Sequence, residues 1–179
     1  SKMNEIADEY GFMVCYPQGT RNTYTGQTHW NANLKEMSSI SDSDFLNDLA
    51  IKLQAEYNLS EKNTFACGMS NGGFMSYHLA CTLSNQIAAI ASVTGSMTPE
   101  TFANCNPTHA TPILQIHGLL DYTVPYNGLS YMESIPKVME YWSEYNSCSS
   151  EPDETNIENI SEGYAVSYTH LTLPTSVPV

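Results

Sequence analysis

Basic residues are scarce in this chain: 6 lysines and arginines stand against 19 aspartates and glutamates, for a formal net charge of −13. Nucleic acid and anionic membrane surfaces are bound through basic patches, so neither is an expected partner. Long apolar runs are missing too, and nothing approaches the ~20 residues that span a bilayer. There is no internal repeat and no low-complexity tract. The five cysteines (Cys15, Cys67, Cys81, Cys105 and Cys148) include no C-x-x-C pair and no zinc-like spacing with histidine. No metal and no other cofactor is therefore expected. With 41% hydrophobic and 11% aromatic residues, the 179-residue chain can build one globular domain with its own core.

What is present alternates between strand-like and helix-like stretches. Lys2 to Tyr10 has helical spacing and Gly11 would cap it; Phe12 to Tyr16 reads as a buried strand closed by Pro17-Gln18-Gly19. Residues 18–40 form a long polar loop with one large anchor, Trp30. Ser41 or Asp42 caps a helix through Tyr57, with Phe45, Leu46, Leu49, Leu53 and Tyr57 on its inward face, and Asn58 ends it. Strands follow at 63–67, Ile87 to Val93 and Pro112 to His117. Helices are expected at 72–83 and from Ile135 to Tyr145, the latter with Val138, Met139 and Trp142 inward. Such alternation implies a mostly parallel sheet covered by helices on both faces. Cys15 and Cys67 fall in strands and are expected to be small core residues. Cys81, Cys105 and Cys148 lie near helix ends and loops, where disulfides can form, with the pairing open. Cysteine usage of this kind points toward an oxidising, extracellular setting.

The most informative run is Phe65-Ala66-Cys67-Gly68-Met69-Ser70-Asn71-Gly72-Gly73. It holds Gly-x-Ser-x-Gly at a strand-to-helix junction, the setting in which this pattern makes a nucleophile elbow that projects Ser70 above the sheet. Glycines at 68 and 72 would remove side chains that collide across such a turn. The Asn71 N–H, at the start of a helix, is placed to donate to an oxyanion. A serine hydroxyl needs a base, and the base needs an acid to orient it. Catalytic groups on such sheets emerge at the C-terminal ends of strands. Asp121 follows the strand ending in His117-Gly118, which makes it the candidate acid, with an ordinary turn-capping aspartate as the alternative. Asp42, Asp44 and Asp48 precede the serine and sit at a helix start, where carboxylates are stabilising anyway.

Taken together, Gly68 to Gly73, Leu79-Ala80-Cys81, Ala88 to Ala91, His117-Gly118 with Asp121, and Val124-Pro125-Tyr126-Asn127-Gly128 resemble the exported esterases of the α/β-hydrolase superfamily. The group in question contains polyhydroxybutyrate depolymerases, feruloyl esterases and acetylxylan esterases, and the likeness runs from about Ile6 to Cys148. The resemblance implies Ser70 as nucleophile, Asp121 as acid and the Asn71 N–H as one oxyanion donor. Leu119 stands where the family commonly has threonine. Two family parts are not found: an upstream strand ending in His-Gly, which supplies a second oxyanion N–H, and a Gly-His segment after the acid, which supplies the base.

Of the five histidines, His29 neighbours Trp30 in the long loop and reads as a substrate-side or surface residue. His78 reads as structural, His109 is in a featureless loop, and His117 belongs to the acid's turn. His170 is the only one after Asp121. It lies in 166–179, a stretch that reads as an in-frame translation of a sequencing-library adapter and suits neither a helix nor a core strand. The native domain is accordingly taken as 1–165, an α/β-hydrolase catalytic domain expected to be incomplete at both ends, with its base beyond residue 165. The expected activity is serine ester hydrolysis through an acyl-enzyme on polyester, feruloyl or acetyl esters, with Trp30 lining the substrate side. A serine peptidase on the same fold and an inactive polymer-binding homologue are the alternatives.

Overall fold

The short apolar stretches become strands and the amphipathic ones become helices, in the order strand, helix, strand that a parallel sheet requires. The computed structural model describes residues 2–23, 25–34, 40–149 and 152–154, and the backbone of 166–171. Helix α1 (Met3–Tyr10) stops at Gly11, whose φ of 71° lets its N–H reach the Ala7 carbonyl. Inside the expected long loop is a hairpin, β1 (Thr20–Arg21) against β2 (Thr28–His29). Helix α2 (Asp42–Tyr57) begins at Ser41, whose hydroxyl accepts from the Asp44 N–H, and ends at the left-handed Asn58.

Strand β3 (Thr64–Met69) leads into helix α3 (Asn71–Thr82), then strand β4 (Ile87–Val93), short helix α4 (Pro99–Ala103) and strand β5 (Ile113–Gly118). β3, β4 and β5 are parallel and lie side by side in that order. Helix α5 (Ile135–Tyr145) follows, capped by Ser134. Helices flank the parallel sheet, as the strand–helix alternation implies. The core lies where Tyr77 and Leu79 of α3 and Val138, Met139 and Trp142 of α5 meet Ile90 and Ile113 of the sheet. Tyr77 stacks on Trp142, and each such buried side chain contributes roughly 1.5–3 kcal/mol.

Four expectations need correction. Phe12 to Tyr16 forms no strand: it joins no strand ladder among the described residues, and without a ladder an apolar run has little to hold it extended. Cys15 and Cys67 are exposed rather than buried. Cys67 alternates with Phe65 and Met69 on the outward face of β3, where those two side chains are 67% and 70% exposed. The inward face of α2 is only partly the one expected: Leu46 packs against the core and Leu49 and Leu53 are half-buried, but Phe45 and Tyr57 are exposed while Asp42, Ser43 and Gln54 are buried. This helix docks through polar bonds: Asp42 accepts from the Asn31 N–H at 2.6 Å, and Gln54 donates to the Thr64 hydroxyl at 2.8 Å. Finally, the tail does enter the sheet as strand β6 (Val166–Leu171), antiparallel beside β5. Its valine, tyrosine and threonine residues favour an extended backbone, and β5 offers an otherwise open edge.

Cys81 and Cys105 form a disulfide that ties the end of α3 to the loop after α4, with Cys148 left free. The bond closes a loop of sequence separation 24. Replacing both cysteines with alanine is expected to lower the unfolding free energy by about 3 kcal/mol, read from denaturant midpoints at constant m-value.

Candidate active site

The passage from β3 to α3 is made by a single residue, Ser70, between Met69 and Asn71. Its backbone sits at φ 52° and ψ −117°, a conformation that costs a non-glycine residue of order 1–3 kcal/mol. Bonds on both sides hold it there: the Ser70 N–H donates to the Val93 carbonyl at 2.8 Å, and its own carbonyl accepts from Gly73 and Phe74. The turn is tight enough that a Cβ on Gly68 would fall 2.3 Å from the Gly72 carbonyl carbon. The expectation for Gly72 was different, and it is corrected here: a Cβ at 72 would meet nothing within 4 Å. The second crowded pair is instead Gly73 and Gly95, each facing the other's backbone beside the Ser92 hydroxyl.

Ser70 is half-buried, and its hydroxyl makes no hydrogen bond among the described residues. Asn71 is the first residue of α3, so its N–H has no intrahelical acceptor. Its side chain does something the sequence did not disclose. The Asn71 carboxamide accepts from the Trp30 N–H at 2.6 Å and donates to the Trp30 carbonyl at 2.9 Å, fastening the loop after β2 onto the elbow. The Trp30 indole packs half-buried against the core. Asn33 adds a further anchor by donating to the Thr101 hydroxyl at 3.3 Å. The run Trp30-Asn31-Ala32-Asn33, with two amides around a small residue, is the signal that could have marked this loop as pinned.

Asp121 lies just past β5. Register places Met69, Val93 and Ile116 in one row across β3, β4 and β5, so Ser70 and the Asp121 turn leave the same end of the sheet. Their strands are two spacings apart, about 9–10 Å, room enough for one intervening side chain. The Asp121 carboxylate is 16% exposed. One oxygen, Oδ1, accepts from the N–H groups of Thr123 and Val124 at 2.8 and 2.9 Å, so the carboxylate does cap its turn. Oδ2 has no hydrogen-bond donor among the described residues; His117 Nε2 is 3.8 Å away.

No histidine with a described side chain bonds to Ser70. His117 is buried and engaged by Gln115 and the Val124 carbonyl. His78 contacts the Thr101 hydroxyl at 3.3 Å, and burial pushes its pKa down against the opposing pull of Glu100. His109 lines a groove with Lys62, Asn85 and Ile87 at the N-terminal ends of the strands, the far end from Ser70. Both ring nitrogens of His29 are buried without a partner among the described residues. The His170 backbone is opposite Leu114, four residues before Gly118 and thus about 13 Å down the strand from its end. Among the described residues no cluster of three potential metal ligands occurs, and no helix is long and apolar enough to cross a membrane.

A parallel sheet flanked by helices, with a strained serine at a strand-to-helix turn, is the layout of an α/β hydrolase. The chain belongs to the phospholipase/carboxylesterase family, whose sequence profile matches residues 19–161. It is 27% identical to a bifunctional acetylxylan esterase/xylanase from Neocallimastix patriciarum over 92% of this chain and 22% of that protein. A feruloyl esterase B from Piromyces equi is 27% identical over 86% of this chain and 30% of its own length. A putative esterase from Nocardia uniformis subsp. tsuyamanensis is 29% identical over 73% of this chain and 37% of its own. The chain thus spans less than two fifths of the length of each of these relatives.

Two outcomes follow from this geometry. Gly68→Ala should cost about 1–3 kcal/mol through backbone overpacking, whereas Gly72→Ala should be neutral or stabilise by up to about 1 kcal/mol; thermal melts of both variants compare them directly. Asn71→Ala removes two bonds to Trp30 and should cost about 1–3 kcal/mol. Because Trp142 is 0% exposed, increased acrylamide quenching in that variant would report release of Trp30 alone.

Proposed function

We propose that the protein is a serine carboxylesterase acting through an acyl-enzyme, with Ser70 as nucleophile, Asp121 as the acid that orients the base, and the Asn71 N–H as an oxyanion donor. The observation that carries this reading is the Ser70 backbone, held in a costly conformation that lifts its hydroxyl clear of protein partners at the sheet end from which Asp121 also emerges. Strain of that kind persists only where the surroundings enforce it, and active sites are where it concentrates.

In the reaction, Oγ of Ser70 attacks the ester carbonyl while its proton passes to a histidine imidazole. The tetrahedral oxyanion accepts from the Asn71 N–H, and collapse releases the alcohol with the proton returned by the imidazole. Water then repeats the sequence on the acyl-serine. Asp121 is suited to hold that imidazole because one carboxylate oxygen is anchored by two N–H groups while the other is open. No histidine with a described side chain makes a hydrogen bond to Ser70 Oγ or Asp121 Oδ2, so the imidazole is assigned to none of them. His170 is not that group, given how far down β5 its backbone is paired.

For substrate, we favour acetyl or feruloyl esters on a polysaccharide, supported by the names of the two fungal relatives. The Trp30 loop, fastened at Asn71, is assigned to the acyl side of the pocket. An extracellular location is supported by the Cys81–Cys105 disulfide.

The test uses the chain as it stands, with a fluorophosphonate probe and with aryl acetate, methyl ferulate, hydroxybutyrate oligomer and peptide amide as substrates. Labelling and ester turnover should be slow, because removing a triad member leaves only ~10³–10⁴-fold catalysis over water. Labelling should vanish in Ser70→Ala and persist in His170→Ala; added imidazole should accelerate it, and that acceleration should be lost in Asp121→Asn, with no amide cleavage. Undiminished labelling of Ser70→Ala would overturn the assignment. Turnover lost in His170→Ala would transfer the base to the tail.

A further inference from the structure

Behind the candidate site runs a buried chain of polar groups that the reaction above does not use. The Tyr77 hydroxyl, on α3, donates to Gln115 Oε1 at 2.8 Å. Burial pushes the Tyr77 pKa far up, so this hydroxyl stays a donor. Gln115 Nε2 bonds the Gly95 carbonyl at 3.0 Å and faces His117 Nδ1 at 2.9 Å. Turning the amide over would set its oxygen against the Gly95 carbonyl, so the orientation is fixed. An amide nitrogen only donates. His117 Nδ1 is therefore an acceptor, the ring proton is on Nε2, and Nε2 donates to the Val124 carbonyl at 2.7 Å. Val124 in turn donates its N–H to Asp121 Oδ1.

From this geometry we infer that His117 is a positioning residue for Asp121: it clamps the 121–124 turn to β5 through Val124 and thereby sets where the carboxylate points. The inference rests on the reading of Asp121 as the acid. His117 does not serve the carboxylate directly, since its Nε2 proton is committed to Val124 and Oδ2 is 3.8 Å away. The ring is also buried edge-on against Tyr126, with centroids 6.1 Å apart, which leaves it one orientation. Through Gln115 and Tyr77 the same chain reaches the helix that begins beside Ser70. Nucleophile and acid are therefore placed relative to one another by one set of hydrogen bonds as well as by the strand register.

The first test needs no activity. Side-chain ¹⁵N–¹H correlation spectra of the intact chain, with His117 assigned by its loss in His117→Phe, should show the Nε2–H tautomer; an Nδ1–H tautomer would overturn the proposal. The second is amide exchange. In His117→Phe the Thr123 and Val124 N–H groups should exchange about 3- to 10-fold faster, the factor expected for one lost hydrogen bond, with Val138 unchanged. His117→Gln, which keeps a donor at similar reach, should restore protection. Unaltered exchange at Thr123 and Val124 in His117→Phe also overturns it. If His117→Phe does not fold, the tautomer, assigned then from His117→Gln, decides. Asp121→Asn separates this from the parent reading. Undiminished imidazole-stimulated labelling of Ser70 there removes Asp121 as the acid while the exchange pattern stands. Lost stimulation with no exchange effect in His117→Phe removes His117 alone.

Discussion

Everything at this site depends on how closely the first turn of α3 approaches the sheet. One residue separates strand from helix, so the backbone must reverse within the space that the missing side chain of Gly68 leaves beside the Gly72 backbone. One turn on, Gly73 rests against Gly95 and the Ser92 hydroxyl, where a side chain on either glycine would force the helix away. Close packing at these two points holds Ser70 in a backbone geometry that an isolated peptide would abandon. The neighbouring strand completes the constraint, because the Val93 carbonyl takes the Ser70 N–H. β4 thus supplies the acceptor, the contact surface and, through its row with Ile116, the alignment with the strand that leads to Asp121.

The loops around the elbow are fastened mainly by polar groups. Trp30 is held by Asn71, Asn31 by the buried carboxylate of Asp42, Asn33 by Thr101, and the 121–124 turn by His117. Apolar packing is tolerant of small displacements; directional bonds in a low-dielectric interior are not, since a buried donor left unpaired costs about 1–3 kcal/mol. The result is a site whose surrounding segments each have one preferred position. The outward face of β3 is built differently, with Phe65, Cys67 and Met69 exposed and no such fastening there.

Periodicity in the sequence was sufficient for the three parallel strands, for α3 and α5, and for the strand-to-helix setting of Ser70, because those elements are specified by local apolar spacing and by glycine. It failed where tertiary pairing decides. Phe12 to Tyr16 has the composition of a strand but joins no ladder among the described residues, whereas Val166 to Leu171, set aside in the sequence reading, pairs with β5. The α2 face was misjudged in part because Asp42 and Gln54, polar residues that a hydrophobic pattern assigns to solvent, dock beside Leu46. Gly72 was credited with relief that belongs to Gly68 and to the Gly73–Gly95 pair, and only three-dimensional proximity separates these. The Asn71 link to Trp30 spans 41 positions, beyond the reach of any local rule.

Which polar atoms are already committed is the sharpest discriminator among the candidate groups. His117 sits four residues from Asp121 and could be mistaken for the base, yet its Nδ1 is satisfied by Gln115 and its Nε2 proton by Val124. For it to take a proton from serine, the Gln115 amide would have to turn and strand the Gly95 carbonyl, which is the reverse of preorganisation. Ser70 Oγ and Asp121 Oδ2 have no such commitments among the described residues, although hydrogen bonds hold the backbone on either side of each. Rigid backbones presenting two unspent oxygens, carried by strands two spacings apart, are suited to a third group with one donor and one acceptor, such as an imidazole.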